Sequence, residues 1–266
     1  MASSESAQPQ IKVIGKIGQI LALFRDQGPE LRLQEIAHGA KLDATTASRI
    51  VNSLCKIGIL RFDELQRIYS PGLIMIELSH LVVARFSFHE LVHRELLALS
   101  NETRWSSYLG ILDDADQSAV IYIDSIGSTK GNPARTAFGQ RLTAHTTASG
   151  KLLLAFNHVD PAMLELAPRT RHSHTDVAQL RDELATIRRQ GYSITDGEEQ
   201  EGWCAVAAPL IDSDGIIAAI GVETDEAHWE QERPRMIKTV VAKAKGISAA
   251  LRLRVPGTHG LARNAG

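Results

Sequence analysis

The stretch that decides the fold is DATTASRIVNSLCKIG, residues 43–58. Asp43 is suited to cap the start of a helix, and Gly58 is suited to end it. Between them, apolar residues recur at three- and four-residue spacings and predict one buried stripe along a helix. The residues of this stripe are Ala47, Ile50, Val51, Leu54 and Ile57.

The opposite face of this helix is unusual because it has no acidic residue after the cap. It carries small or polar side chains, which are Ala44, Thr45, Ser48, Arg49 and Asn52. Short hydrogen-bonding groups, an arginine and an amide are what a helix needs in the major groove of DNA. Taken alone, the helix is equally well explained as an ordinary amphipathic helix.

The neighbouring segments favour DNA binding. Helices are predicted at 13–25 and 34–40, with a short extended piece at 31–33 between them. Strand-like segments at 59–62 and 67–70 flank a polar turn and predict a hairpin after the third helix. This order of elements is that of a winged helix-turn-helix.

The charge of this region limits how tightly it can bind nucleic acid. Residues 1–84 contain nine Lys and Arg against eight Asp and Glu, and the whole chain has a net charge of −2. Without a broad basic surface, we expect affinity to require two or more copies on one operator. Arg61 and Arg67 of the hairpin are placed to reach phosphates, and helix N-termini can supplement them.

Composition narrows the class of protein further. The chain has 266 residues, enough for two modest domains or one large one, with ordinary hydrophobic and charged fractions of 44% and 23%. Residues 1–10 lack the features of a signal peptide and are expected to be disordered. Its two cysteines, Cys55 and Cys204, form no metal-binding pattern and fit a reducing cytoplasm.

The rest of the chain predicts a linker helix and a second domain. Residues 72–87 are apolar on almost every side, so we expect this helix to be buried against a partner chain. The pattern of residues 88–254 predicts an α+β domain with an antiparallel sheet. Residues 255–266 are expected to form a disordered tail. Its strands are predicted at 105–112, 119–126, 192–195, 205–211 and 216–222, its helices at 88–100, 147–156, 177–190 and 233–253, and a loop at 127–140.

Three segments together resemble the IclR family of bacterial transcriptional regulators. They are LDATTASRIVNSLCKIGIL (42–60), GQRLTAHTTASGKLLLAF (139–156) and GYSITDGEEQEGWCAVAAPLIDSDGIIAAIGVE (191–223). The resemblance implies a DNA-binding domain at 11–71, the linker helix, a GAF-like effector domain, and dimers that pair into tetramers.

The resemblance also implies two sets of site residues. DNA contacts are expected at Thr45, Thr46, Ser48, Arg49, Asn52 and, in the wing, Arg67. The effector pocket is expected to be lined by Ala137, Phe138, Gly139, Leu142, Asp196, Trp203, Ala205, Gly221 and Glu223.

The chain departs from the family pattern at the expected pocket. Cys204 lies one position earlier than the cysteine common in the family, so Ala205 is expected to take the pocket position. Glu223 stands where small hydroxyl residues are common, and an ionised carboxylate there would repel a carboxylate effector. We therefore expect a small aromatic effector that presents an amide, hydrazide, amine or phenol donor to Glu223. Trp105 and Trp203 would form flat walls, unless both are core residues and Glu223 is solvated.

Patterns that suggest chemistry are incomplete. Ser149-Gly150-Lys151 lacks the earlier Gly and the following hydroxyl residue of a phosphate loop. A metal cluster of His172, His174 and Asp176 is disfavoured because Asp176 is better explained as a helix cap. Cys204 would need a base such as His145 to act as a nucleophile, and no acyl-transfer motif surrounds it. We expect no enzyme activity, no cofactor and no bound metal.

The sequence thus predicts a cytoplasmic regulator that binds a pseudopalindromic operator and responds to a small organic effector from a catabolic pathway. Repression is favoured over activation. The alternative is a GAF-like ligand-binding or catalytic protein whose helix-turn-helix serves protein contacts only. Loss of operator binding in Arg49→Ala, with the fold intact, would distinguish the first from the second.

Overall fold

The computed structural model describes residues 11–128 and 136–253. The two ends expected to be disordered, 1–10 and 255–266, and the middle of the loop expected at 127–140 lie outside these residues. The chain forms two compact units, which divide between Ala84 and Arg85.

The first unit has the predicted order of a winged helix-turn-helix. Its elements are α1 (Lys12–Gln27), α2 (Leu33–Gly39), α3 (Ala44–Lys56), β1 (Leu60–Asp63), β2 (Ile68–Pro71) and α4 (Ile74–Ala84). The two strands pair in an antiparallel hairpin, and Leu31 adds a single bridge to Tyr69. The extended piece before α2 is therefore the third strand position of the wing.

Helix α3 begins and packs as its sequence predicts. The Asp43 carboxylate accepts the Thr46 backbone N–H at 2.8 Å, and hydrogen bonding from Thr46 lowers the pKa of this carboxyl group. The stripe is buried at Ala47, Ile50, Val51 and Leu54. The prediction that Ile57 belongs to this stripe is wrong: the helix ends at Lys56, and the Ile57 side chain is 59% exposed.

The end of the wing is held against the end of α3 by a close backbone approach. A Cβ atom added at Gly72 would lie 1.9 Å from the carbonyl oxygen of Gly58. The Gly72 N–H donates to the Ile59 carbonyl at 2.8 Å. Only glycine fits at position 72, so this contact fixes the hairpin beside the helix.

The second unit is built on a six-stranded antiparallel sheet in the order β5-β4-β3-β8-β7-β6. This architecture confirms the predicted α+β class. In chain order its elements are α5 (His89–Thr103), β3 (Ser106–Leu112), β4 (Ala119–Ile126), β5 (Arg141–Thr143), α6 (Ala148–Phe156), α7 (Val177–Gln190), β6 (Ser193–Asp196), β7 (Trp203–Ile211), β8 (Ile216–Asp225) and α8 (Glu226–Arg252).

The two faces of this sheet carry different helices. Helices α5 and α8 pack on one face, in a core that includes Trp105, Leu109, Val206 and Trp229. Helices α6 and α7 pack on the other face, in a core that includes the rings of Tyr108 and Tyr122. Side chains alternate between the faces along each strand, so a residue's position in its strand decides which core it joins.

The last helix begins earlier than predicted. The sequence predicted a start at Arg233, but α8 begins at Glu226 and contains Pro234 in its interior. The Asp225 carboxylate caps this helix by accepting the His228 N–H at 3.1 Å. Strand β8 also runs on to Asp225, so Glu223 lies within the sheet.

Within the described residues, no helix is both long enough and apolar enough to cross a lipid bilayer. The apolar helix α4 has 11 residues, well short of a span.

Candidate functional site

The polar face of α3 is open to solvent. Thr45, Arg49 and Asn52 are exposed, whereas Thr46 and Ser48 are half-buried. The Asn52 carboxamide donates to the Ser48 hydroxyl at 3.3 Å, which leaves its carbonyl oxygen and a second N–H for other partners. An arginine can make two hydrogen bonds to a guanine edge, and an asparagine can make two to an adenine edge. This face therefore has the chemistry of a base-contacting surface.

The wing presents a second exposed cation. Its turn is shaped by the Asp63 carboxylate, which accepts the backbone N–H groups of Leu65 and Gln66 at 2.9 and 3.0 Å. Arg67 follows in a left-handed backbone conformation with φ of +55° and is exposed. A long cationic side chain at this place suits a phosphate contact.

The second unit contains a cavity of about 210 Å³ between the sheet and the start of α6. Four residues predicted for the effector pocket line it, namely Leu142, Trp203, Ala205 and Glu223. Glu223 is 7% exposed, and one of its oxygens accepts the Thr136 N–H at 3.2 Å. The alternative in which this side chain is solvated is therefore wrong.

Gly221 lies beneath the cavity without lining it. A Cβ at this position would lie 2.4 Å from the Tyr108 hydroxyl and 2.5 Å from the Val206 carbonyl oxygen. The glycine therefore leaves room for the Tyr108 ring, whose edge meets the Tyr122 ring at a centroid distance of 5.2 Å.

Other predicted pocket residues lie elsewhere. Trp105 is 1% exposed in the core on the opposite face of the sheet, 5.0 Å from the His228 ring. Asp196 lies opposite Cys204 in the pairing of β6 and β7, and its carboxylate accepts a hydrogen bond from the Cys204 thiol at 3.1 Å. Because successive side chains alternate along β7, Asp196 lies on the face of the sheet opposite to the Ala205 side chain. Trp105 is thus a core residue and not a cavity wall.

The loop before β5 contributes different residues from those expected. Ala137, Phe138 and Gly139 do not line the cavity, and Phe138 is 56% exposed. The flanking residues Thr136 and Gln140 line it instead. The Gly139 N–H donates to the Tyr122 carbonyl at 2.7 Å, which continues the pairing with β4, and residues 137–139 are all exposed.

Sequence reasoning missed much of the polar lining. Tyr108, Tyr122, Glu199 and Arg169 line the cavity although they are far apart in the chain. Burial raises the pKa of both tyrosine hydroxyls, which therefore stay protonated as hydrogen-bond donors. Burial also raises the pKa of Glu199, whose carboxylate bonds the Thr146 hydroxyl and lies 3.4 Å from the Arg169 guanidinium.

Cys204 and His145, considered above as a nucleophile and its base, lie in environments typical of structural residues. Burial raises the pKa of the Cys204 thiol and keeps it protonated, unlike a nucleophilic cysteine. His145 is 1% exposed, with Nε2 3.2 Å from the Ala167 carbonyl oxygen, and burial lowers its pKa.

The start of α6 is a buried helix N-terminus beside the cavity. Thr147 caps it by accepting the Gly150 N–H at 3.1 Å, and Ser149 lies 2.7 Å from the Tyr122 hydroxyl. Lys151, two residues after Ser149, is fully buried, and its ammonium bonds the carboxylates of Glu183 and Glu198. Sequence reasoning missed this charged cluster, because a lysine after glycine gives no sign of burial.

A winged helix whose exposed face is small and polar defines the class of helix-turn-helix DNA-binding proteins. Residues 13–64 match the model of the IclR helix-turn-helix domain, and residues 80–249 match that of the bacterial transcriptional regulator IclR C-terminal domain. The chain belongs to the IclR family of DNA-binding transcriptional regulators.

Named relatives agree with this assignment. The chain is 29% identical to the HTH-type transcriptional regulator XynR of Escherichia coli over 250 residues, which cover 90% of this chain and 98% of that protein. It is 24% identical to the acetate operon repressor of Salmonella typhimurium over 256 residues, covering 91% and 90%. Among solved structures, an IclR homolog from Microbacterium hydrocarbonoxydans complexed with 4-hydroxybenzoate has a TM-score of 0.76 at 20% identity, covering 90% and 98%.

Proposed function

We propose that this regulator is a repressor whose operator binding is controlled by a small organic effector in the cavity of its second unit. In this proposal residues 11–71 bind DNA, the linker helix of residues 72–87 joins the chains of a dimer, and residues 88–254 bind the effector. The dimers pair into tetramers. A protein that acts on chromosomal DNA works in the cytoplasm, and one relative, the acetate operon repressor, supports repression.

The observation that carries the DNA-binding part is the exposed polar face of α3. Arg49 and Asn52 lie on this face, without a neighbouring acid, on a helix whose other face is buried. We assign base contacts to Arg49 and Asn52, and supporting contacts to Thr45, Thr46 and Ser48. Arg67 contacts a phosphate from the wing.

Substitution of Arg49 tests this assignment. Operator sequences are first selected from random DNA with the wild-type protein, and binding is then measured by fluorescence anisotropy. Arg49→Ala is expected to weaken binding by about tenfold to a hundredfold, because a bidentate contact to guanine contributes about 1–3 kcal/mol. Arg94→Ala, which removes an exposed arginine from α5, is the matched control and should bind as the wild type does.

Equal affinity of Arg49→Ala and wild type for the selected DNA would overturn the assignment. Selection of no sequence at all, with the protein folded, would instead favour the alternative in which the helix-turn-helix serves protein contacts.

The effector is assigned by the lining of the cavity. Trp203 offers an aromatic surface, while Glu199 and Glu223 offer acceptors for a ligand N–H or O–H group. Arg169 also lines the cavity, but it lies beside the Glu199 carboxylate, which competes with a ligand carboxylate for it. We propose a small aromatic effector that presents a donor to Glu223, and the cavity of about 210 Å³ limits it to about one ring with a short substituent.

Calorimetry with 4-hydroxybenzoate and 4-hydroxybenzamide tests this effector class. The wild type should prefer the amide, and Glu223→Gln should shift the preference toward the acid, because the repelling carboxylate is removed. Glu199→Gln, which removes the carboxylate of the other acidic residue that lines the cavity, is the matched control. An unchanged ratio of affinities in Glu223→Gln would contradict the role of Glu223, and wild-type binding of neither compound would contradict the aromatic class.

A further inference from the structure

A charged cluster lies buried beside the cavity. The Lys151 ammonium on α6 donates to both carboxylate oxygens of Glu198, at 2.7 and 2.8 Å, and to one oxygen of Glu183 at 2.6 Å. The Lys151 side chain is fully buried. His174 approaches the other oxygen of Glu183 at 3.1 Å. None of these four side chains lines the cavity.

This cluster is not arranged as a metal site. His174, Glu183 and Glu198 offer ligand atoms within 4.8 Å of one another, which is a spacing a metal ion could use. The Lys151 ammonium already bonds both carboxylates, and a second cation beside it would be repelled. The cluster therefore calls for a different explanation.

Glu198 belongs to the connection between β6 and β7, residues 197–202. The residues that follow it, Glu199, Gln200 and Trp203, line the cavity. The two adjacent glutamates diverge, since Glu198 bonds the buried lysine and Glu199 bonds Thr146 near the start of α6. Fixing the Glu198 side chain thus fixes the direction in which the cavity residues leave the strand.

Lys151 also belongs to the other wall of the cavity. Its backbone N–H donates to the Thr147 carbonyl at 2.9 Å, one turn earlier in α6, and Thr147 lines the cavity. The ammonium therefore joins two walls that are 47 residues apart in sequence. Burying ions is costly and often adds no stability, and in some proteins a buried ion pair instead specifies one arrangement of the chain.

We infer that Lys151 is a positioning residue that fixes the 197–202 connection, and with it Glu199, Gln200 and Trp203, as a wall of the effector cavity. It does so without touching the ligand. The hydroxyls of Thr170 and Ser173 also bond this connection, at the carbonyls of Gly197 and Glu198, both at 2.7 Å. Thr170 and Ser173 precede α7, whereas Lys151 ties the connection to α6, next to the bond between Glu199 and Thr146. This inference rests on the proposed function for the claim that the cavity takes an effector.

Hydrogen–deuterium exchange of the full-length, ligand-free protein tests the inference. Glu198→Gln and Lys151→Met should raise exchange in residues 197–203 by roughly tenfold or more, because the side-chain tie is weakened or lost. In the wild type, the Gly197 N–H donates to the Trp203 carbonyl at 2.9 Å, and the Trp203 N–H donates to the Gln200 carbonyl at 3.3 Å. Glu183→Gln is the matched control: it removes the other carboxylate of the same lysine, but from α7, and should leave exchange in 197–203 near the wild-type rate.

Acrylamide quenching gives a second readout. Trp105 and Trp229 are each 1% exposed, so quenching reports on Trp203, the remaining tryptophan. Quenching should increase in Glu198→Gln and not in Glu183→Gln. A merely structural cluster would instead raise exchange through α6 and α7 in both variants alike.

Unchanged exchange of 197–203 in Glu198→Gln, or an equal increase in Glu183→Gln, would overturn the inference. If Lys151→Met does not fold, the two glutamate variants decide the question. Because no ligand is present, failure here leaves the effector proposal standing, and a cavity that binds no effector leaves the exchange result unaffected.

Discussion

At the scale of single residues, some side chains are held by partners a few positions away and others by partners from distant segments. The helix cap at Asp43 was predicted because its partner, Thr46, is three residues away. The burial of Lys151 could not be predicted, because its partners Glu183 and Glu198 come from distant segments. Trp105 was assigned to the cavity although it is a core residue, since composition alone does not tell which face of a strand an aromatic residue occupies.

His145 gives a pH dependence at the residue scale. Burial lowers its pKa below the usual 6.5, and Lys151 adds to this effect. Since the folded state favours the neutral ring, the stability it contributes is present above pH 6.5 and is lost as the pH falls through the folded pKa. The free energy of unfolding should therefore decrease on acidification, by up to about 1.4 kcal/mol per pH unit from this one group.

Urea unfolding between about pH 7.5 and about pH 5.5 measures this contribution. The free energy of unfolding of His145→Gln should fall less steeply with decreasing pH than that of the wild type. The difference in slope should correspond to at most one proton. Gln179→Ala, which removes an exposed side chain that does not titrate from the same unit, should keep the wild-type slope. Parallel curves for the wild type and His145→Gln would contradict the assignment of a buried neutral ring.

At the scale of elements, the sequence predicted the type of most helices and strands, but not all of their ends. Helix α8 was expected to begin beside Pro234, whereas the Asp225 cap starts it at Glu226. A proline in a helix interior leaves one carbonyl without its usual partner, which makes it a poor guide to where this helix starts. Strand β8 also extends beyond its predicted end at residue 222, to Asp225, so Glu223 lies within it and strand alternation turns its side chain toward the cavity.

Helix α4 differs in its exposure from the other helices of the described residues. None of its residues is buried. Large apolar side chains are exposed at Leu73, Ile76, Leu78, Leu81 and Val82. An exposed apolar surface of this kind is typical of a protein–protein interface, which supports the proposed role of α4 in dimer formation.

Sedimentation velocity tests this role of α4. The double substitution Leu78→Gln with Leu81→Gln should raise the dimer dissociation constant at least about tenfold, because each buried leucine contributes about 1.5–3 kcal/mol. Met163→Gln, at a residue that is 83% exposed in the second unit, is the matched apolar-to-polar control. A double variant that dimerises as the wild type does would exclude these residues from the interface.

At the scale of the whole molecule, the balance of charge governs how the protein can bind DNA. With nine basic against eight acidic residues in 1–84, one copy has little electrostatic attraction for the phosphate backbone. In the proposed dimer, two recognition helices would compensate for this weak attraction, because the second binding event becomes intramolecular. A dimer of this kind requires a symmetric operator, contacted by the α3 helices of two chains.

Footprinting of the wild-type protein on its selected operator tests whether two α3 helices contact a symmetric site. We predict two protected half-sites related by a pseudo-twofold axis, with centres about 10 base pairs or a multiple of that apart, and no protection by Arg49→Ala at the same concentration. A single protected site without symmetry, or the same protection by Arg49→Ala, would contradict the account.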